Sequence, residues 1–390
     1  MKHKLLILAA VYVSFSVIGM PDGAFGVAWP SIRADMGLRL ELAGIAMLVQ
    51  AFFYALTSSQ LGRISRFIKL EKIDLIGISA IAFGFAGLSI APNFTVFVIM
   101  VAPVGIGLGL VDSSLNAYMV KSFSARHLNL LHCFWGLGAA FTPIFMTQII
   151  LISGWRLGYA SLAVFQGTVA IFVFLILLKG RWGAVEKPPA ESRQTAPPKQ
   201  YLAKKRHQFI MVISFFFYGG IEYASGFWIA SVLLESRGLP LEVAGLYPAV
   251  FYASIMAGRL FFGIQGNKFS DTSIIRFGLS LAFTGFAILF ITSNILGMAL
   301  AGLGFAPIFP CLIHNTSNRF DQKILTKLVG YEVAACVAGG AVLASLIGRF
   351  LAHVSLEALF PIVMITIVLI LLMNELLDLT ARKTEKNSQN

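Results

Sequence analysis

The sequence is poor in charged residues. Lys, Arg, Asp and Glu together make up 12% of its 390 residues, whereas apolar residues make up 57%. Soluble globular domains have about a quarter charged residues and about 45–50% apolar ones. A chain with so little charge cannot cover its apolar side chains with a polar surface in water. The composition therefore excludes an ordinary soluble domain and predicts that the lipid bilayer surrounds most of the chain.

Cysteine is also scarce. The three cysteines, Cys133, Cys311 and Cys336, are odd in number, lie in apolar stretches and match no metal-ligand spacing. They are therefore predicted to be small core residues rather than disulfides or metal ligands. The chain also lacks a nucleophile triad and a phosphate-binding loop that follows a strand. The sequence predicts no metal and no organic cofactor, and it argues against an enzyme.

Apolar stretches of about 20 residues recur along the whole chain, and this length crosses about 30 Å of hydrocarbon. They predict an all-α membrane protein with twelve transmembrane helices in two pseudo-symmetric six-helix bundles. The first stretch is expected to be a span rather than a cleaved signal peptide, because it is long and further spans follow it. The predicted spans are 5–29, 41–61, 73–92, 96–120, 130–152, 158–179, 209–235, 242–264, 274–292, 295–317, 330–352 and 356–378.

A polar stretch separates the sixth span from the seventh. Residues 180–208 contain two Pro-Pro pairs and many charged side chains, a composition that cannot form a core. We therefore predict an N-terminal bundle over 1–179, a cytoplasmic linker over 180–208 and a C-terminal bundle over 209–379. The tail, 380–390, is also polar and is expected to be cytoplasmic and disordered.

The basic residues are distributed asymmetrically. An even number of spans puts both termini on one side, and a cytoplasmic placement puts 25 of the 30 Lys and Arg residues in the cytoplasm. This is the asymmetry of the positive-inside rule, which predicts a multi-pass protein of the inner (plasma) membrane with both termini cytoplasmic. It also explains the net charge of +12 without nucleic-acid binding. The residues left outside are Arg33, Arg39, Arg156, Arg237 and Arg349.

The two halves share a short sequence in their second helices. Residues 51–55 read AFFYA and lead to Gly62-Arg63, and residues 249–253 read AVFYA and lead to Gly258-Arg259. The offset of about 196–200 residues also sets Asp22 opposite Glu222. Two related six-helix halves around a site near the membrane midplane are a common plan of secondary transporters.

This architecture resembles the major facilitator superfamily. Gly263-x-x-x-Asn267-Lys268 after helix 8 is similar to the family's Gly-x-x-x-Asp-Arg/Lys loop, with Asn in place of Asp. The loop after helix 2 departs further, because Arg66 stands at the acidic position. The resemblance implies a monomeric transporter whose halves rock around a central substrate site.

Ionisable residues inside the spans are few, and each costs at least about 2.5–3.5 kcal/mol in hydrocarbon on insertion scales. Asp22 lies beside Pro21 in a glycine-rich part of helix 1, where a break or kink is expected to line a cavity. Asp112 and Asn116 are four residues apart and share one face of helix 4, and Glu222 lies well inside helix 7. Because desolvation favours the neutral form of a carboxyl group, we predict Asp22, Asp112 and Glu222 to be the proton-coupling residues.

Each acid also has a structural interpretation. Asp22 could cap a broken helix, and Asp112 with Asn116 could form a polar clamp between helices. The sequence does not decide between a functional and a structural role for Glu222.

Polar residues near the helix ends favour simpler interpretations. His132 and Glu332 could be solvated at the cytoplasmic ends of helices 5 and 11, and His314 is expected to be an interfacial or packing group. Arg63 and Arg259 are expected to stabilise cytoplasmic helix ends or gate contacts.

The acidic residues resemble the fucose permease branch, the fucose–galactose–glucose/proton symporters. Asp22 matches the proton-coupling acid of helix 1 there, Asp112 the helix 4 acid implicated in sugar binding, and Asn116 the Asn one turn later. Residues 128–136 are similar to the entry of helix 5, and Glu222 is similar to an acid in helix 7 of some members. The chain departs from the branch because it is shorter and has Asp112 where Glu is typical.

A sugar site needs hydrogen-bonding groups and an aromatic face, although many of the 34 Phe and 10 Tyr residues simply face lipid or other helices. Trp29 and Trp155 near span ends are interpreted as interfacial belt residues. The predicted substrate-binding residues are Gln50, Asn116, His132, Trp135, Tyr223, Trp228 and Tyr252.

The leading hypothesis is proton-coupled symport of a small polar solute such as a sugar, with the solute, protons and membrane lipid as partners. The alternative is a proton-driven exporter of drugs or hydrophobic metabolites, which would use the same acids in a more apolar cavity. A non-transporting membrane sensor on the same scaffold is a third possibility, and it predicts that the acids can be replaced without loss of function.

Overall fold

The computed structural model describes residues 2–123, 125–179, 182, 204–265 and 269–389. Side chains are described for all of these except residues 2–4, 125, 126, 129, 263–265, 322, 323, 326 and 382–389. Most of the predicted linker lies outside the described residues, as do Asn267 and Lys268 of the predicted family loop.

The first half of the chain forms six helices. Four are continuous: α1 (Lys2–Met36), α2 (Ala43–Ile64), α3 (Leu70–Ser89) and α4 (Phe94–Ser122). The next helical segment, Ala125–Leu178, is interrupted at Gly154, whose φ of 82° and ψ of 172° lie outside the helical region. Glycine adopts such a positive φ without steric cost. We number the two arms α5 (125–153) and α6 (155–178).

The second half repeats this order with more interruptions. A helix over Lys205–Ser231 (α7) ends in the π-helical turn Val232–Ser236, and a short helix, Leu241–Ala244, precedes the next long one. The tenth helix has two arms separated at Pro307, which has no N–H to donate to the preceding turn. The remaining helices are α8 (Leu246–Gln265), α9 (Asp271–Thr292), α10 (Ile295–Phe305 and Ile308–Arg319), α11 (Gln322–His353) and α12 (Leu359–Gln389).

The helices agree with the predicted number of membrane spans. Among the described residues, eleven helical segments are long and apolar enough to cross a membrane. One of them, Leu130–Leu178, is 49 residues long and contains the bend at Gly154, so it accommodates both predicted spans 130–152 and 158–179. If the two arms of this segment are counted as two spans, the number of candidate spans is the predicted twelve. The prediction of a disordered tail is wrong, because α12 stays helical through Gln389.

The described residues form two compact units. One comprises residues from 1–191 together with 238–249, and the other comprises residues from 192–237 together with 250–390. The predicted boundaries at 179/180 and 208/209 stay predictions, since most of the linker between them lies outside the described residues. Within the first unit α1 packs on α5, and α2 and α3 pack on α4. The second unit repeats this arrangement, with α7 on α11 and α9 on α10.

Glycines at equivalent positions bring these helices together. A Cβ added to Gly138 would overlap the Ser16 carbonyl between α5 and α1, and one added to Gly339 would overlap the Phe216 carbonyl between α11 and α7. Small residues at such crossings let helix backbones approach closely, which is the main source of packing energy in a membrane. The repeated contacts therefore extend the internal symmetry from the sequence to the packing of each unit.

We expect Gly138→Ala to destabilise the protein by about 3 kcal/mol, the upper end of typical overpacking costs, because its Cβ would meet rigid backbone of Ser16. Thermal unfolding in detergent would measure the effect. Gly167→Ala on α6 is the matched control, because nothing lies within 4 Å of the added Cβ. Equal unfolding temperatures for the two variants would contradict the packing account.

An arginine contacts the ends of two other helices in the first unit. Arg156, at the start of α6, pairs with Asp35 near the end of α1, and its Nη2 donates to the Ala91 carbonyl after α3 at 3.0 Å. Its guanidinium also lies over the Trp155 ring, 4.2 Å from the centroid. The Trp155 indole is buried and donates to Asp35 at 3.2 Å. Trp155 therefore packs inside the protein, and its interpretation as a belt residue is wrong.

Trp29 is likewise not a belt residue. Its side chain is fully buried, and its indole N–H donates to the Leu40 carbonyl at 3.1 Å. The tryptophan therefore anchors the end of α1 to the turn that precedes α2.

The second unit has an equivalent ion pair, in which the acidic and basic residues exchange places. Arg237 follows α7, the equivalent of α1, and Glu357 precedes α12, the equivalent of α6. The Arg237 Nε donates to Glu357 at 2.9 Å, and its Nη2 donates to the Phe290 carbonyl at the end of α9 at 3.0 Å. Asp35 and Arg156 of the first unit thus correspond to Arg237 and Glu357 of the second. Both halves thus have an ion pair between equivalent helix ends, but the acid and the arginine occupy opposite positions in the two halves.

We expect Arg237→Met to lower the free energy of unfolding by on the order of 2 kcal/mol, because Glu357 would lose its partner and the end of α9 would lose a donor. Differential scanning fluorimetry would measure the shift. Arg39→Met is the control, since that side chain is 75% exposed and solvent screens its pairing with Glu41, two residues further along the chain. A shift in unfolding temperature no larger than that of the control would show that the contacts of Arg237 contribute little to stability.

Candidate functional site

The glycines around Asp22 bring α1 against α5. A Cβ at Gly19 would overlap the Trp135 carbonyl, and one at Gly23 would overlap the Ala139 carbonyl. The helix is continuous through Pro21, so it has no break there, whereas the kink that the sequence also predicts stays a prediction. The glycines allow close packing. As a result, the Trp135 indole Nε1 donates to the half-buried Asp22 carboxyl at 3.2 Å. The structure thus brings together two residues that were predicted from the sequence, Asp22 as a proton-coupling residue and Trp135 as a substrate-binding residue.

Asp112 forms the centre of a second polar cluster, between α4 and α2. Its Oδ2 accepts a hydrogen bond from the Tyr54 hydroxyl at 2.6 Å, and its Oδ1 accepts one from the Asn116 amide at 2.9 Å. Both donors are neutral. The predicted Asp112–Asn116 pair is therefore present, and Tyr54 completes it.

The glycines of α4 explain why Tyr54 reaches Asp112. A Cβ at Gly105 would overlap the Gln50 carbonyl, and one at Gly109 would overlap the Tyr54 carbonyl, so both glycines face α2. Gly107, between them, faces α3 instead. Sequence analysis did not select Tyr54, although Tyr252 was selected and occupies the same place in the shared AFFYA/AVFYA sequence.

Among the other predicted contacts of the first unit, Gln50 is half-buried on α2 and His132 is exposed on α5. The edge of the His132 ring packs against Phe15, with centroids 5.3 Å apart. A second histidine lies nearby on α5: the His127 ring forms a 2.7 Å hydrogen bond with the hydroxyl of Tyr12 on α1. Sequence analysis did not select His127.

Glu222 lies near the middle of the candidate span Lys205–Ser236 in the second unit. Its Oε1 is 3.5 Å from the Nη2 of Arg259 on α8. The sequence predicts that Arg259 stabilises a cytoplasmic helix end or takes part in gate contacts, and it does not predict the contact with Glu222. Arg259 lies one turn before the end of the candidate span Leu241–Phe262, which agrees with a position near a helix end, but its side chain is only 22% exposed.

The predicted aromatic contacts of the second unit lie along α7 and α8. Tyr223 is half-buried, and its ring stacks on Phe227. Tyr252 is buried, with its hydroxyl end beside Gly226. Trp228 is fully buried and donates its indole N–H to the Ala344 carbonyl of α11 at 3.0 Å. Substrate contact by these three residues stays a prediction, and the position of Trp228 favours a packing role.

Two fully buried acids were missed or misplaced by sequence analysis. Asp74 on α3 accepts a hydrogen bond from Ser14 at 3.1 Å, and Glu332 on α11 accepts one from Thr316 at 2.8 Å. In each carboxyl group the second oxygen has no hydrogen-bond partner among the described residues. Glu332 is thus not solvated as expected. Asp74 lies within the predicted span 73–92, so the rule that selected Asp22 would have found it.

His314 is the remaining ionisable residue that sequence analysis selected. Its side chain is 64% exposed, and its Nδ1 lies 2.6 Å from the carboxyl of Asp271 at the start of α9. The residue therefore lies at the surface of the second unit, in agreement with an interfacial role.

The apolar helices of the described residues, packed as two similar units with acids and hydrogen-bonding groups inside the candidate spans, have the architecture of a polytopic membrane transporter. The family model of the Major Facilitator Superfamily matches residues 11–331, and the chain belongs to this family. A bacterial homologue of the human lysosomal transporter Spinster, in an inward-facing and occupied conformation, has the same fold with a TM-score of 0.78. It is 14% identical, and the alignment covers 98% of each chain.

Two relatives of the chain are named for sugars. The glucose/mannose transporter GlcP of Bacillus subtilis is 24% identical over 261 residues, 64% of each chain. A putative glucose/galactose transporter of Helicobacter pylori is 24% identical over 246 residues, 57% of each chain. The chain thus matches less than two thirds of the length of either relative. Both names agree with the resemblance to the fucose permease branch.

Proposed function

We propose that the protein is a proton-coupled symporter of a small polar solute such as a sugar, working by alternating access. The observation that carries the proposal is the cluster of Asp112, Tyr54 and Asn116 inside two candidate membrane spans. A carboxyl group held by neutral donors can gain a proton without breaking an ion pair in that cluster. The same three groups offer the donors and acceptors that solute hydroxyls need.

The Asp22–Trp135 contact supports the proposal from α1 and α5. Trp135 presents an aromatic ring beside a carboxyl group, which is the combination that a sugar ring uses for stacking and hydrogen bonding. Protonation of Asp22 removes its charge but leaves an oxygen that can still accept from the indole. The loaded carrier is then closer to neutral and crosses its occluded state at lower electrostatic cost.

The transport cycle follows from these roles. A proton from outside binds among Asp22, Asp112 and Glu222, and the solute binds to the remaining donors and acceptors. The protein then exposes the site to the cytoplasm, where solute and proton leave. We propose a monomer, as the family resemblance implies, in the plasma membrane. The basic residues in the predicted cytoplasmic loops support the placement of both termini in the cytoplasm.

Uptake into proteoliposomes tests the proposal. An imposed pH gradient, acidic outside, is expected to drive accumulation of a labelled hexose such as glucose, galactose or fucose, and a protonophore is expected to abolish it. Failure with every hexose, together with proton-driven expulsion of lipophilic cations, would contradict the proposal and favour the exporter.

A further inference from the structure

The ion pair of Glu222 and Arg259 is loose compared with another pair in the same unit. The Arg259 Nη2 is 3.5 Å from Glu222 Oε1, whereas Arg237 donates to both oxygens of Glu357 at 2.9 and 2.5 Å. Charge-assisted hydrogen bonds between nitrogen and oxygen are usually about 2.7–2.9 Å long. The contact between Glu222 and Arg259 is therefore electrostatic attraction without a close bidentate fit.

Arg259 also differs from its counterpart in the first half. Arg63 occupies the equivalent Gly-Arg sequence at the end of α2, where it is exposed and donates to Gln60 at 3.0 Å. Arg259 lies one turn before the end of its candidate span. Helical side chains lean toward the helix N-terminus, which for Arg259 is the interior of that span. Among the described contacts of this repeated sequence, Arg259 therefore approaches a carboxyl group inside its span, whereas Arg63 approaches an exposed amide.

Two weakly polar groups lie close to the pair. Tyr218 and Cys336 both lie close enough to interact electrostatically with Glu222 and Arg259. The Tyr218 hydroxyl donates to the Phe305 carbonyl at 3.1 Å. At neutral pH both residues are ordinarily uncharged, so Glu222 supplies the negative charge that faces the guanidinium from α7.

A proton on Glu222 would remove that negative charge. With Glu222 neutral, the guanidinium of Arg259 loses this anionic partner at a side chain that is only 22% exposed, so the protonated site favours a replacement anion. The guanidinium is planar and always charged, and its fork of donors matches a carboxylate in two-point contact. Proton binding at Glu222 and anion binding at Arg259 are then coupled, because each relieves the cost of the other.

We propose that Arg259 binds a carboxylate of the transported solute, in exchange for Glu222 as that residue takes up a proton. The transported solute is then a sugar acid or a similar small organic acid rather than a neutral sugar. This inference rests on the proposed symport function and narrows its substrate class.

Binding of glucuronate to the purified full-length protein, with glucose as the uncharged comparison, tests the inference by isothermal calorimetry. Glucuronate is expected to bind at least about tenfold more tightly at pH 6 than at pH 8, and more tightly than glucose at pH 6. Glu222→Gln imitates the protonated acid at every pH, so it is expected to bind glucuronate at pH 8 at least as tightly as the unmodified protein does at pH 6.

Adding Arg259→Gln to Glu222→Gln is expected to weaken glucuronate binding by about a hundredfold, without leaving an unpaired charge that could prevent folding. Arg63→Gln is the matched control and is expected to bind glucuronate normally. Weaker binding in Glu222→Gln, or equal binding of glucuronate and glucose, would overturn the inference. Proton-driven glucose uptake without glucuronate binding would refute this inference alone, whereas pH-dependent glucuronate binding without proton-driven uptake of either solute would refute the proposed symport.

Discussion

Asp22→Asn is expected to abolish proton-driven accumulation of solute while leaving exchange of solute across the membrane. The substituted amide keeps an oxygen that can accept from Trp135, whose Nε1 lies 3.2 Å from the native carboxyl, but it cannot carry a proton. Energised uptake into proteoliposomes should therefore fall to the level of protein-free vesicles. Counterflow needs reorientation of the loaded carrier but no proton gradient, and it should persist because the neutral amide resembles the protonated acid.

The control for this prediction is Asp35→Asn. Asp35 is also an aspartate of α1, but it pairs with Arg156 at the end of the helix and is 46% exposed. Its loss should lower stability slightly and leave the coupling of solute to protons unchanged. Energised accumulation that survives Asp22→Asn would move the coupling role to another acid, and loss of counterflow as well would show that Asp22 is needed for binding or reorientation.

Asp112→Ala is expected to raise the solute concentration for half-maximal counterflow by about a hundredfold. The substitution removes an acceptor to which Tyr54 and Asn116 donate, and hydrogen bonds to charged groups are worth about 1.5–3 kcal/mol each. The two donors would also lose their orientation. Tyr54→Phe removes one of the two bonds, so about a tenfold rise is expected from it. Counterflow over a range of solute concentrations measures both effects.

Ser113→Ala provides the comparison for Asp112. Ser113 is the next residue of α4, and its hydroxyl donates within its own helix to the Gly109 carbonyl. Its removal should leave the concentration dependence unchanged. If Asp112→Ala changes only the maximal rate, the cluster gates the movement of the carrier and does not hold the solute.

The twelve spans could be predicted because a helix in hydrocarbon must be apolar over a fixed length. The interruptions inside them could be predicted only in part. The turn at Gly154 falls between the predicted spans 130–152 and 158–179, whereas α1 is continuous through Pro21, where the sequence predicts a break or a kink. Proline in a membrane helix can be accommodated by its neighbours, and here Gly19 and Gly23 let α5 pack closely beside it.

The candidate site was predictable where partners lie on one helix. Asp112 and Asn116 share a helical face, so their spacing alone predicted their contact. Tyr54 and Arg259 lie on other helices from the acids they approach, and their contacts depend on helix crossings that spacing does not give.

Burial of residues near helix ends was the least predictable feature. Glu332 lies near the start of the predicted span 330–352, and Trp155 lies at the start of α6, where solvent or lipid headgroups are expected, yet both are buried by neighbouring helices. Distance from a helix end gives the depth of a residue in the membrane, but it does not tell which side of the helix faces other helices.

The central claim is that solute and protons move together in one direction. A pH electrode in a lightly buffered suspension of cells that express the protein would record this movement directly when a hexose or a hexuronate is added. We predict alkalinisation of the medium with at least one of these solutes, absent in Asp22→Asn and abolished by a protonophore. No alkalinisation with any of them, together with acidification or dye efflux when lipophilic compounds are added, would contradict symport.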